Sequence, residues 1–350
     1  MMPDDPHLSM ERVQDWLANV FPHGQTPVML TPLTADASTR RYIRVRWDEH
    51  IQAQPASCVI MCCDPWPECE IPTFITVARH LRHHGMRVPH IYAALPTEGL
   101  MCLEDFGDRM LADVWRLSSP VVRLSWGHRA VDAIVAMHVS ATRHPDAACP
   151  AFGLSFDVPK LLSELQFFRQ YAVEGLWQHT LKESERDAFD AAFTPLCAML
   201  ADEPRYFCHR DYHGWNIMAC DDGSVGVIDF QDARMGPQPY DIVSLLVDRG
   251  TYEILGSEAH AALVDYYLER FEAEAGDRVD RRQFAMLFDL VAVQRCLKAI
   301  GTFAFMAAVN HRPHYRAYIA PTLAYIEPLM QRYGVLRPLT NLLQCYKITL

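Results

Sequence analysis

Apolar residues recur at helical spacing between Met10 and Phe21 (Met10, Val13, Trp16, Leu17, Val20, Phe21), and Pro22 with Gly24 closes that segment. From about 28 to 105 the pattern changes to strands. Val28-Met29-Leu30 comes first, Tyr42 to Trp47 alternates, and Cys58 to Cys63 is a continuous apolar run. The spacing predicts a helix from Ile71 to His84, stopped by Gly85. Ile91 to Leu95 and Leu100 to Leu103 flank Pro96-Thr97-Glu98-Gly99, which predicts a hairpin. The first hundred or so residues therefore read as a small antiparallel sheet with one inserted helix.

After Glu104-Asp105-Phe106-Gly107 the period lengthens to that of long amphipathic helices, near 108–117, 120–141, 158–174, 184–202, 238–249, 257–274, 280–309 and 313–333. One stretch, 205 to 229, breaks this rule. Tyr206 to Cys208 and Ile217 to Cys220 are short strand signals, Asp221-Asp222-Gly223 is a turn, and Val225 to Ile228 returns as a strand. The expected class is α+β, in two lobes: a small antiparallel β lobe with one helix over 1–104, and a larger, mainly helical lobe over 105–350.

Composition narrows the function. The 350 residues are half apolar, enough to fill real cores, and carry 43 acidic against 32 basic side chains for a net charge of −11. That balance argues against nucleic acid as a partner, since nucleic-acid binders show a basic surplus. Eleven cysteines lie scattered, several in apolar runs, as reduced thiols used as small hydrophobes do; a cytoplasmic location is expected. The acidic start, Met1 to His7, has no apolar signal core, and the apolar stretch Ala299 to Val309 is too short to span a bilayer, so no membrane partner is expected. Only four basic residues are lysines (Lys160, Lys182, Lys298 and Lys347), and none lies in the first 159 positions. Any cation needed there must be an arginine.

The strongest chemical signal is His209-Arg210-Asp211-Tyr212-His213-Gly214-Trp215-Asn216, followed by Asp229 after the apolar strand Val225 to Ile228. Phosphoryl transfer needs one carboxylate to hold an attacking hydroxyl and take its proton, and oxygen ligands to hold Mg²⁺ on nucleotide phosphates. Asp211 follows a strand, Asn216 opens the next, and Asp229 ends its hairpin partner, so the turn brings both ligands to the same end beside Asp211. Taken singly, each reads as a loop residue or a strand-end cap. Taken together, with a β-rich lobe upstream, they specify a phosphotransfer site.

With these motifs the chain resembles the kinase-like phosphotransferases of the aminoglycoside phosphotransferase type, and within them the bacterial anomeric kinases of N-acetylmuramate and N-acetylglucosamine in cell-wall recycling. The resemblance rests also on Asp36-Ala37-Ser38-Thr39-Arg40-Arg41-Tyr42, Leu103-Glu104-Asp105-Phe106-Gly107-Asp108, Asp229-Phe230-Gln231-Asp232, Tyr240-Asp241 and Gln294-Arg295-Cys296-Leu297-Lys298. It implies a protein-kinase-like bilobal fold, ATP and Mg²⁺ as cofactors, and a small-molecule sugar as acceptor. By this resemblance Asp211 is the catalytic base and Asn216 and Asp229 are metal ligands. Leu103, Glu104 and Asp105 form the adenine-reading hinge, Ser38 and Thr39 belong to a phosphate-covering loop, and Asp241 braces the catalytic loop. His213 is a candidate for touching a phosphate or the sugar, or for pinning its own loop.

One departure meets the lysine count. Kinase-like enzymes place a phosphate-contacting lysine on the third small-lobe strand, but Cys58-Val59-Ile60-Met61-Cys62-Cys63-Asp64 carries no cation. Phosphate charge is then expected to fall to Mg²⁺ and to Arg41 or Arg44, whose planar fork can grip two oxygens. The competing reading of these arginines is solvent-facing strand positions. Glu164, Gln166 and the Arg295/Lys298 pair are candidates for the acceptor pocket, against a default of helix-surface charge. A zinc reading of Cys62, Cys63, Cys69, His80, His83 and His84 lacks any CxxC pair. The alternatives to an amino-sugar kinase are a kinase for an aminoglycoside, choline or another sugar, and a nucleotide-binding pseudokinase suggested by the absent lysine.

Overall fold

Helical periodicity at the start of the chain becomes α1 (Met10–Val20), whose Val13 and Leu17 are buried against one face of a sheet. That sheet holds β1 (Met29–Leu33), β2 (Arg41–Arg46), β3 (Ser57–Cys62), β4 (Ile91–Leu95) and β5 (Leu100–Glu104), antiparallel in the order β1-β2-β3-β5-β4. Helix α2 (Ile71–His83) is inserted after β3, and the β4–β5 connection is the hairpin expected, turned by Gly99 at a left-handed φ of 67°. The computed structural model describes residues 10–21, 29–33, 40–47, 55–63 and 71–346, without the side chains of 10–12. Ser38, Thr39 and Asp64 lie outside the described residues.

Side chains alternate across a strand, so each sheet face draws on every second residue. On β2, Ile43 and Val45 face the small core with α1, together with Cys58, Ile60 and Cys102. The other face carries Met61, Met101 and Leu103 into a core continuous with α2 and the helical lobe.

The helical lobe comprises α3 (Leu111–Leu117), α4 (Pro120–Ala136), α5 (Val158–Phe168), α6 (Glu183–Asp202), α7 (Tyr240–Val247), α8 (Thr251–Ala275), α9 (Arg281–Ala308), α10 (Ile319–Arg332) and α11 (Arg337–Cys345). Two predicted helices end in wide π turns, at Met137–Ala141 and Arg169–Leu176, and α8 breaks at Gly256, beside its expected start. Within this lobe β6 (Arg205–Cys208) pairs with β9 (Arg234–Pro237), and β7 (Ile217–Ala219) with β8 (Val225–Val227). β9 and α11 were not anticipated.

Helix α9 is the axis of the lobe. It is long and apolar enough to cross a membrane by length and composition, yet 78% of its most apolar 18-residue window is buried inside the protein, as in a core helix. Asp280 caps it, accepting from the backbone N–H of Arg282 and Gln283 at 2.8 and 3.1 Å. Gly301 lets it lie directly on α5, since a Cβ there would come within 2.7 Å of Phe168 Cα. This close crossing sets Gln294 and Lys298 over Glu164.

Candidate active site

The loop from His209 to Asn216 leaves β6 and enters β7, and Asp241 at the start of α7 shapes it. Its two carboxylate oxygens accept the backbone N–H of His209 (2.8 Å) and of Arg210 (3.1 Å), and the group is fully buried. His138 supports Asp241 from behind, with Nε2 at 3.4 Å and Nδ1 2.9 Å from the Tyr267 hydroxyl. With Cys208 these two residues form a group compact enough to hold a metal. Both Asp241 oxygens and both imidazole nitrogens already have protein partners, so the group reads as a structural brace. Bracing permits strain: Arg210 sits at a left-handed φ of 84° and Asp229 at 63°.

Asp211 stands at the centre. Its Oδ1 accepts from Lys298 Nζ at 2.8 Å, with Arg295 Nη2 at 3.9 Å, while Arg210 Nε lies 3.8 Å from Oδ2. Burial alone would raise its pKa, but the three cations hold the carboxyl well below the usual range. It is therefore ionised at neutral pH. Its side chain is 29% exposed, so the oxygen not engaged by Lys298 has access to the cleft.

Asn216 and Asp229 meet at one end of the β7–β8 hairpin, where the Ile228 N–H donates to the Asn216 carbonyl at 3.0 Å. Asn216 Nδ2 donates to the Asp211 carbonyl at 2.9 Å, which orients the amide and leaves its oxygen as the available ligand. Asp229 Oδ1 accepts from Gln231 Nε2 at 3.0 Å and lies 3.4 Å from Arg40 Nη1; its side chain is 46% exposed. One amide oxygen and one carboxylate match Mg²⁺, which prefers oxygen donors and completes its shell with phosphates and water. His209 Nε2–H donates to the Ile228 carbonyl at 2.9 Å, clamping the catalytic loop to the hairpin. His213 is buried and pushed down to about 4 by that burial, so it is neutral at pH 7.

The arginine expectations are corrected. Arg44 is buried, and its Nη2 donates to Asp105 Oδ1 and to the Gly107 carbonyl, each at 2.9 Å, while Nη1 engages Asp108. Burial would raise Asp105, but Arg44, Ser57 and the Gly107 N–H lower its pKa. This guanidinium pins the segment after β5 and has no fork left for a phosphate. Arg41 shares the sheet face of Ile43 and Val45, which pack toward α1. Arg40, part of the Asp36–Tyr42 stretch that carries the resemblance, lies beside Asp229, with its side chain only 12% exposed.

The remaining candidates divide. Glu104 turns its carboxylate to Arg87 and to the His90 N–H, both at 3.1 Å, and its own N–H donates to the His90 carbonyl at 2.8 Å, so a hinge role falls to the remaining backbone groups of Leu103–Asp105. Gln166 donates to Asp190 at 2.7 Å on the far side of α5 and leaves the acceptor set. Glu164 stays in it: it is buried, its Oε2 accepts from Gln294 at 3.0 Å, and Lys160 Nζ lies 3.2 Å from Oε1. Burial works against its charge, yet Lys298, Lys160 and Arg210 lower its pKa. Arg295 and Lys298 are not surface charges. One signal was available in the chain: a cationic pair three residues apart inside an otherwise apolar helix. The histidines proposed for zinc tie α2 to the helical lobe instead, His80 to the Ala141 carbonyl and His84 to Ser140, both at 3.0 Å.

Residues 30–284 match the phosphotransferase enzyme family. A Pseudomonas aeruginosa protein named N-acetylmuramate/N-acetylglucosamine kinase is 31% identical, the match covering 98% of this chain and 97% of that one. A Caulobacter vibrioides protein of the same name is 27% identical, over 91% and 93%. Among solved structures, an ADP-bound aminoglycoside phosphotransferase superposes with a TM-score of 0.60 at 13% identity, covering 90% of this chain and 97% of the other. A choline kinase from Cryptosporidium parvum gives 0.64 at 11%, covering 95% and 99%. These likenesses show the protein-kinase-like bilobal α+β fold.

Proposed function

Because this chain belongs to the phosphotransferase enzyme family, we propose that it transfers the γ-phosphoryl group of ATP to the anomeric 1-hydroxyl of an N-acetylated amino sugar, N-acetylmuramate or N-acetylglucosamine. The acceptor assignment is supported by the full-length kinship with kinases named for those sugars. The observation that carries the chemistry is an ionised Asp211, one oxygen held by Lys298, standing beside Asn216 and Asp229. This completeness disfavours a pseudokinase, which has no use for a base.

In this reading the sugar hydroxyl donates to the free oxygen of Asp211 and attacks the γ-phosphorus in line. The new O–P bond forms as the bond to the β-phosphate oxygen breaks, ADP leaves, and the hydroxyl proton passes to Asp211. Anomeric hydroxyls are more acidic than ordinary alcohols, so a weak carboxylate base suffices and positioning supplies most of the rate. Asn216 and Asp229 would hold the metal, which would neutralise phosphate charge. The backbone of Leu103–Asp105 reads adenine, and Ser38 and Thr39 cover the phosphates. A cytoplasmic location fits ATP as the phosphoryl donor and the free, mostly buried cysteines among the described residues.

Cationic acceptors such as aminoglycosides or choline fit less well, because Lys298, Arg295 and Arg210 all lie within 4 Å of Asp211. The test is ³¹P NMR of the products from each sugar. A sugar 1-phosphate is the expected signal, and a 6-phosphate refutes the anomeric assignment.

Arg40 takes the phosphate-facing role that the small-lobe lysine leaves open. Arg40→Ala is expected to raise the KM for ATP by roughly tenfold, the loss of one charge-assisted hydrogen bond. Arg41→Ala should leave it near wild type. Equal effects in steady-state assays would take the phosphate contact away from Arg40.

A further inference from the structure

Three cations surround Asp211, and they are not equivalent. Arg295 gives Nη1 to the Arg210 carbonyl at 2.5 Å and Nη2 to Ser244 Oγ at 2.7 Å, lies 3.4 Å from Asp248, and stacks on the Tyr240 ring. Arg210 is held by Asp232 at 2.7 Å and by Glu164 at 3.7 Å. Lys298 makes a single side-chain hydrogen bond among the described residues, to Asp211 Oδ1. An ammonium has three N–H donors. One is spent and two remain, on a side chain 15% exposed beside the base.

The reacting atoms must come to that point. A hydroxyl bonded to Asp211 meets the γ-phosphorus in line, and charge then spreads over three equatorial oxygens next to the base. Preorganised cations aimed at such developing charge supply a large share of catalysis. No basic residue lies on β3, Ser57–Cys62, and Arg40 is at the Asp229 side of the cleft. The base side has Lys298.

We propose that Lys298 is a catalytic residue that donates a hydrogen bond from Nζ to the transferring phosphoryl group while a second N–H stays on Asp211. This role rests on the phosphoryl-transfer reading above and gives it a contact from α9. Burial lowers the pKa of Lys298 while the Asp211 and Glu164 carboxylates oppose that fall; the role uses the protonated form, which the step does not consume. The hydroxyl proton goes to Asp211, the β–γ bridging bond breaks, and Lys298 ends the step beside the new phosphate monoester. The close crossing of α9 and α5 at Gly301 holds the lysine in place, and Glu164 on α5 counters its charge.

The experiment compares the wild type, Lys298→Met, Lys298→Arg and Asp211→Asn on N-acetylmuramate and N-acetylglucosamine. Lys298→Met is expected to lower kcat by roughly 10²–10³-fold on both sugars, the scale of losing one preorganised donor, with both KM values near wild type. Lys298→Arg should recover part of that loss. Ground-state nucleotide affinity should persist in Lys298→Met, while the tighter binding of ADP with aluminium fluoride and sugar, which mimics the transferring group, is lost. A merely structural lysine would not separate those two affinities.

Unchanged kcat in a folded Lys298→Met enzyme overturns the role. So does a rise in KM confined to N-acetylmuramate, which would assign the lysine to the acceptor carboxylate. If Lys298→Met does not fold, Lys298→Arg decides: a partial loss of kcat with weakened aluminium fluoride binding and unchanged KM supports the role, and wild-type kcat or a defect in KM alone overturns it. A wild type that phosphorylates no sugar defeats the underlying functional reading and this role with it, whereas an active wild type with an unimpaired Lys298→Met defeats the role alone.

Discussion

Asp211→Asn is expected to reduce kcat by about 10²–10⁴-fold, the usual worth of a positioned general base, with ATP affinity close to wild type. The substitution keeps the shape of the side chain and removes its charge and its ability to take a proton. It also leaves Lys298, Arg295 and Arg210 around a neutral amide, where the three had held a carboxylate ionised. Nucleotide contacts are assigned to other places, Arg40 just before β2, the Leu103–Asp105 segment and the β7–β8 hairpin, so binding should survive. ADP release with each sugar measures the first quantity, and calorimetric titration with a non-hydrolysable ATP analogue measures the second. Wild-type turnover by the variant would remove Asp211 from the mechanism.

Asp229→Asn is the second large effect. It should lower kcat by roughly 10³-fold, in line with the several kcal/mol that a metal ion contributes to transition-state charge, and raise the Mg²⁺ concentration needed for half-maximal rate. Asparagine is the informative replacement because Asp229 occupies a left-handed backbone conformation, φ 63°, which Asn tolerates as Asp does. Asp229→Ala adds a backbone penalty of about 1–2 kcal/mol and should melt at a lower temperature as well. A Mg²⁺ titration of activity beside thermal melts of both variants separates the two effects. An unchanged Mg²⁺ requirement in Asp229→Asn would mean that the ligand is another residue.

Much of the architecture was legible because it depends on local periodicity. The β4–β5 hairpin followed from Pro96-Thr97-Glu98-Gly99, and α9 from its apolar run. β9 escaped because Arg234-Met235-Gly236-Pro237 has neither alternation nor branched residues; it is a strand by virtue of pairing with β6. The two π turns were read as helix because they continue the same residue pattern with one wider ring. The pairing of Arg44 with Asp105 and Asp108 spans more than sixty positions, and no sequence period reports a contact of that kind.

By itself, the sequence determined which chemistry this protein is built around. His209 to Asn216 and Asp229 are bound together by a loop and a hairpin, so their proximity is a matter of short-range geometry. It also determined that no lysine could serve the small lobe, because none is there. Tertiary structure alone decided which cations stand beside Asp229 and Asp211. Arg40 rather than Arg41 or Arg44 meets Asp229 because strand parity and the Asp105 pair place the other two elsewhere. Lys298 reaches Asp211 across 87 residues because Gly301 lets α9 lie against α5. Such choices are made by packing, and packing depends on which faces of distant elements are apolar enough to be buried together.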